Sequence, residues 1–265
     1  MFVSNAPQMW ENRFEACRGS RFARRHASRF NSPLEIAANA VIIRRRKHAL
    51  GRQPADSMTV HLIAIVGGSG SGKTWLARRL KRRLGRDAEM ISLDDFYRDL
   101  SALPRTKRDR RNFDDPAAIE WPLFIKTLAR IQRGEPAAIP RYDFATHTRR
   151  AQPRRWKPKP IVLLDGLWLL REARARRLYS LSIYVDALAE VRLRRRVARD
   201  QQERGRSRAS VLRQFREHVE PMHRQFVAPQ RRCADIVLSA PLDDEILGRL
   251  AATAKRLVAN PKVNR

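Results

Sequence analysis

Eight consecutive residues constrain this chain more than any other feature: Gly67, Gly68, Ser69, Gly70, Ser71, Gly72, Lys73 and Thr74. They fit the pattern G-x-x-x-x-G-K-[ST]. The run before them, VHLIAIV at 60–66, is short, apolar and rich in branched side chains, which reads as a buried parallel strand. The run after them, TWLARRLKRRL at 74–84, carries apolar residues at helical spacing. A strand, a glycine-rich turn and a helix in that order let successive backbone N–H groups converge on phosphate oxygens. The helix N-terminus adds its partial positive charge. Lys73 is then placed to reach the β- and γ-phosphates, and the Thr74 hydroxyl to ligate Mg²⁺. The octet predicts a nucleoside triphosphate site lined by all eight residues.

The rest of the chain alternates in the same way. Further strands are expected at 89–93, 160–164, 181–185 and 236–238, and helices at 121–133, 188–202, 209–218 and 242–258. Such alternation predicts an α/β fold, a parallel sheet with helices on both faces. The 208 residues from Met58 onward suit one such domain. No apolar run approaches the ~18–20 residues of a membrane span. The two cysteines, Cys17 and Cys233, are too far apart to suggest a disulfide framework or a zinc knuckle, which suits a reducing compartment.

Residues 1–57 read differently. They hold 11 Lys/Arg against 4 acids, with no signal-peptide core, and only 34–50 shows a helical pattern. They are read as a basic N-terminal extension, flexible or partly helical, ahead of a catalytic domain at 58–265. The whole chain carries a net charge of +29, with nine lysines and 47 arginines. Because the excess runs along its full length, it fits solvated arginine-rich faces better than a dedicated polyanion surface.

Two carboxylates extend the phosphate site. Asp165 ends the run IVLLDG, where a strand-end acid meets a metal or its water. Asp94, in SLDDFY, leaves the second strand at the edge where ligands sit in parallel sheets. A carboxylate there can take the proton of an attacking hydroxyl. At this point the sequence resembles the uridine/cytidine kinase family over nearly all of 60–240. The pieces stand in family order: GGSGSGKT, SLDDFY, NFDDP at 112–116, PRYDFATHTR at 140–149, VLLDG at 162–166, RRRVARDQQERGR at 194–206 and EPMHRQFVAPQRRCADIVL at 220–238.

The resemblance implies a P-loop NTPase-type fold with a small substrate-binding insertion and an arginine-rich lid helix. It makes Asp94 the catalytic base and Asp114 the carboxylate that holds the ribose hydroxyls. Tyr142 and His147 would read the pyrimidine edge, with Phe144 beside the base. Arg196, Arg199, Arg204 and Arg206 match lid arginines, and Gln214 falls near the nucleoside. Arg192 and Arg208 fit a purely solvated face. Three positions depart from the family: Asp165 replaces a more usual glutamate, Asp95 adds a carboxylate beside Asp94, and Ser239-Ala240-Pro241 replaces Pro-Arg-Gly.

The implied activity is transfer of the γ-phosphoryl of ATP (or GTP), with Mg²⁺, to the 5′-hydroxyl of uridine or cytidine. That is a cytoplasmic salvage reaction on a small nucleoside. It needs no membrane and no nucleic acid, and leaves room for a homo-oligomer. Two alternatives stay open: a related kinase acting on a sugar phosphate, in the manner of phosphoribulokinase, and a nucleic-acid-binding ATPase whose arginine-rich arm grips phosphates.

Overall fold

The computed structural model describes residues 42–43, 59–108, 110–239 and 241–259, all within one compact unit, Ala38–Arg265. Its central sheet is built from β1 (Ile42–Ile43), β2 (His61–Gly67), β3 (Ala88–Ser92), β4 (Ile161–Gly166), β5 (Tyr179–Asp186) and β6 (Ile236–Ser239). The spatial order is β1-β6-β5-β2-β4-β3. Five strands are parallel, and β1 alone runs antiparallel, Ile42 opposite Val237 and Ile43 opposite Ile236. Every residue of β2 and of β4 is buried. Strands covered on both faces require the continuous apolar runs that the sequence shows there.

The main helices are α1 (Lys73–Leu84), α2 (Trp121–Gln132), α3 (Ala189–Arg204), α4 (Arg208–Gln214) and α5 (Asp244–Ala259). α1 turns Leu76, Ala77, Leu80 and Leu84 inward, onto β2, β3 and β4 and against α5. From residue 60 onward the predicted strands and helices appear, each shifted by a few residues at its ends. The helix expected over 34–50 does not fit its two described residues, which are strand. The rest of 34–50, like the remainder of the basic extension, lies outside the described residues.

Between β3 and β4 the chain makes an insertion that sequence periodicity did not resolve. It contains α2 and two short antiparallel ribbons, Ala137–Ile139 with Arg154–Trp156 and Tyr142–Asp143 with Thr148–Arg149. Pairs of two or three residues are too short for alternation to register.

Beyond α4 the predicted helix continues, but wider: π turns at Phe215–Val219 and His223–Val227, then a 3₁₀ stretch at Ala228–Cys233. Each π turn ends two residues before a proline, Pro221 or Pro229. A proline ring crowds the carbonyl four residues back, and widening the preceding turn relieves that. The run is anchored by buried Gln230, which accepts from Leu170 N at 2.9 Å and donates to the Leu167 and Phe226 carbonyl oxygens at 2.8 Å each.

Candidate active site

The loop between β2 and α1 stays open to an anion because of what its helix lacks. Gly72 is the N-cap, at φ 104°; no side chain caps the helix, and the first turn holds no acid. The first amides of a helix have no intrahelical acceptor, so here they remain available to phosphate. Gly70 has to be glycine twice over: its φ is +80°, and a Cβ would lie 2.4 Å from the Arg192 carbonyl oxygen. At Gly68 a Cβ would stand 2.7 Å from Nδ1 of His223. Burial, then the Arg192 charge, push the His223 pKa down to about 4, so a neutral imidazole packs against the loop.

Thr74 Oγ1 donates to Asp165 Oδ2 at 2.7 Å. Asp165 is buried, and its Oδ1 meets no hydrogen-bond partner among the described residues. Among those residues no group of three or more His, Cys, Asp or Glu could hold a metal by itself. One hydroxyl beside a carboxylate with a spare oxygen fits a Mg²⁺ that arrives on phosphates and keeps several waters.

Asp94 lies in the 3₁₀ turn Leu93–Phe96 that leaves β3, its backbone N donating to Ser92 Oγ at 3.2 Å. Ser92 is the register partner of Asp165, so both carboxylates emerge at the same edge of the sheet. Burial, then the Asp165 charge, raise the Asp94 pKa to about 6 against the pull of Lys73, and Asp95 adds a smaller push in the same direction. Burial drives Lys73 the opposite way, below the usual lysine range, with Asp165 and Asp94 opposing. Burial likewise raises Asp95, whose carboxylate accepts from the Tyr142 backbone N–H.

On the insertion side, Asp114 shares a small cavity with Ser69, Trp168 and His223. Burial raises its pKa while Arg196, His218 and Arg204 pull it down. Tyr142 Oη is buried without a hydrogen-bond partner among the described residues. Burial lifts its pKa to about 12. Phe144 is 51% exposed and stands edge-on to Tyr142 at 5.4 Å. His147, at φ 55°, stacks on Phe113 at 4.4 Å. Tyr97 completes the cluster, 5.2 Å from Tyr142, its hydroxyl donating to the Phe113 carbonyl oxygen at 2.9 Å. Tyr97 and Phe113 were not singled out from sequence, although both stand inside quoted motifs.

The lid arginines gather on one residue that sequence reading passed over. Asp200 is 0% exposed. Arg199 Nη2 approaches its Oδ1 at 2.7 Å and Arg204 Nη1 at 3.6 Å, while Arg196 Nε and Arg206 Nη1 approach Oδ2 at 3.5 and 3.8 Å. Arg196 continues to the phosphate loop, donating to Ser69 Oγ at 2.8 Å, and to Gln214 Oε1 at 2.9 Å. Arg206 donates to the same Gln214 oxygen. Arg195 was also missed. It donates to the Ser71 carbonyl oxygen at 3.0 Å and to that of Gly70 at 3.4 Å, tying α3 to the outer rim of the loop.

Residues 62–246 match the sequence profile of the Phosphoribulokinase / Uridine kinase family. The chain belongs to that family. By that membership it is a phosphotransferase. Among similar proteins, the uridine kinase of Deinococcus deserti is 40% identical over 206 residues, which cover 74% of this chain and 100% of that one. The uridine kinase of a Geobacillus species is 36% identical over 214 residues, covering 80% and 99%. Of solved structures, phosphoribulokinase from Rhodobacter spheroides shares the fold, with a TM-score of 0.51 at 18% identity over 69% of this chain and 71% of that one.

At the site of this family member, the expectation for Arg192 needs correction. Arg192 does not sit on a solvated face. It is 2% exposed, with Nη2 2.6 Å from Glu220 Oε2 and its guanidinium over the Phe215 ring at 5.6 Å. Its long aliphatic stem packs beside Gly68, which explains how an arginine comes to be buried. Arg208 is exposed, as expected. No described helix is long and apolar enough to cross a membrane. A hollow of about 760 Å³ between α3 and the π turns is lined by Leu193, Phe215 and Pro221 and by none of the site residues expected from sequence, so concavity alone does not mark the site.

Proposed function

We propose that this chain transfers the γ-phosphoryl group of ATP to the 5′-hydroxyl of uridine or cytidine, giving the nucleoside monophosphate and ADP. The observation that carries the reading is the position of Asp94: a carboxylate with pKa about 6 that interacts with Lys73 of the phosphate loop. Curated relatives at 36–40% identity are named uridine kinases. In this account Asp94 takes the proton of the 5′-hydroxyl, the freed oxygen attacks the γ-phosphorus, and the bond to the β,γ-bridging oxygen breaks to release ADP. Lys73 and the amides of 67–74 hold the triphosphate. Arg196, Arg199 and Arg204 stabilise the charge that spreads over the transferring group.

Thr74 and Asp165 would hold Mg²⁺, which supplies charge neutralisation on the phosphates. Asp114 accepts from the ribose hydroxyls, and Tyr142, Phe144 and His147 form the wall for the base, with Arg206 and Gln214 bordering the nucleoside. Residues 58–265 carry catalysis, and 1–57 form a basic extension. The setting is pyrimidine salvage in the cytoplasm.

The wall of Tyr142, Phe144 and His147 favours a flat base, and so a nucleoside over a sugar-phosphate acceptor. ADP release measured with and without uridine tests the reading. Strong stimulation by uridine is expected, and equal turnover in both conditions would sink it in favour of a simple ATPase. Tyr142→Phe removes a buried hydroxyl left over for the base. It should raise KM for uridine about threefold to tenfold with kcat nearly unchanged, measured by steady-state kinetics.

A further inference from the structure

Trp75 follows the metal-side threonine of the loop directly and is 42% exposed. A lone exposed tryptophan ordinarily needs no explanation, but this position does. The outer face of α1 is otherwise arginine: Arg78, Arg79, Arg82 and Arg83 are all exposed there. The amides of Thr74 and Trp75 belong to the uncapped first turn of α1, and such amides cradle the α- and β-phosphates while the lysine reaches β and γ. The nucleoside end of a bound donor therefore leaves the loop beside Trp75. Helical side chains lean toward the N-terminus of their helix, so the indole leans to the mouth of the loop. Arg79, one turn on, lies over the ring with its guanidinium carbon 5.3 Å from the centroid. Arg195 reaches the same rim from α3, 3.5 Å from where a Gly72 Cβ would stand.

We propose that Trp75, backed by Arg79, is the stacking platform for the purine base of the phosphoryl donor. This rests on the reading above only in taking a nucleotide as donor, and it adds what that reading lacks, a residue that recognises the donor base. Stacking uses the π-face that every purine offers and reads no edge group. The platform therefore accepts adenine and guanine alike, and donor choice between ATP and GTP is loose. The Arg79 guanidinium above the indole adds cation–π attraction and keeps the ring oriented.

The test is binding rather than turnover, on the full chain, by titration calorimetry with ADP, GDP and inorganic tripolyphosphate, each with magnesium. Trp75→Ala should weaken ADP and GDP by roughly 5- to 100-fold, while tripolyphosphate affinity stays within about twofold. Trp75→Phe should restore most of the loss. Indole fluorescence should be quenched by ADP but not by tripolyphosphate, and the quench should vanish in Trp75→Phe. An equal loss on all three ligands would mean the substitution merely disturbs the loop, and unchanged ADP affinity would mean the base lies elsewhere; either result overturns the platform. Wild-type protein that binds no ADP at all would instead bring down the kinase reading itself, whereas failure of uridine as an acceptor leaves this experiment untouched.

Discussion

Asp94→Asn should lower kcat by about 10²- to 10⁴-fold, the contribution of a positioned general base, and yet make the protein harder to melt. The two effects share one cause. Burial and the neighbouring Asp165 raise the folded carboxyl from 3.8 to about 6, so holding Asp94 ionised in the cleft costs folding free energy. The sign follows from proton binding. Between these two pKa values the folded state binds the proton more tightly than the unfolded chain, so wild-type stability rises as pH falls from about 6 toward 3.8. Above 6 the wild type carries the full penalty, up to about 3 kcal/mol.

The amide variant carries none of that penalty. At pH 7.5 its Tm should exceed the wild type's by several degrees, with the gap closing below pH 4. Wild-type kcat/KM should fall on the acid side with an apparent pKa near 6. Calorimetric melts at several pH values, paired with initial rates, check both halves. A variant that is inactive but no more stable at pH 7.5 would show that Asp94 is not held under strain.

The parts of this site legible in sequence are those fixed by local backbone chemistry. The glycine loop announces itself because Gly68 and Gly70 leave no room for a Cβ, and the strand and helix on either side must carry their own periodicities. Asp94 and Asp165 are legible because each follows an apolar strand, and parallel strands bring their ends to one edge. The aromatic wall needed the family resemblance: Phe113 and His147 stack at 4.4 Å across 34 positions, and no spacing rule links them.

Arg192 misled because an arginine on an arginine-rich helix reads as solvated until Glu220, from a different helical turn, arrives 2.6 Å from it. The π turns were illegible for a related reason. Pro221 and Pro229 advertise a helix break, but the structure absorbs each ring by widening the turn before it.

Asp200→Asn carries the second large effect. Asp200 stands among eight arginines in the stretch 191–208, and nothing in that stretch of sequence marks it as buried. In the fold it has no solvent exposure at all, and four guanidinium groups face its two oxygens within 3.8 Å. Removing one side of a buried ionic cluster leaves the other uncompensated, typically at a cost of about 3–5 kcal/mol. For a domain of this size that predicts a Tm roughly 10 °C lower.

The catalytic consequence follows from Arg196, which spans from Asp200 at 3.5 Å to Ser69 Oγ at 2.8 Å. Without the carboxylate, Arg196 and its neighbours repel one another and lose their aim at the transferring group. The rate constant kcat should then fall by more than tenfold while KM for uridine moves little. Multivalent anions distinguish this from simple misfolding. Magnesium-free tripolyphosphate supplies the missing negative charge between the arginines, so it should raise the Tm of Asp200→Asn by more than that of the wild type. Equal shifts in the two proteins, or a variant that melts and turns over normally, would show that the four arginines do not depend on Asp200 for their arrangement.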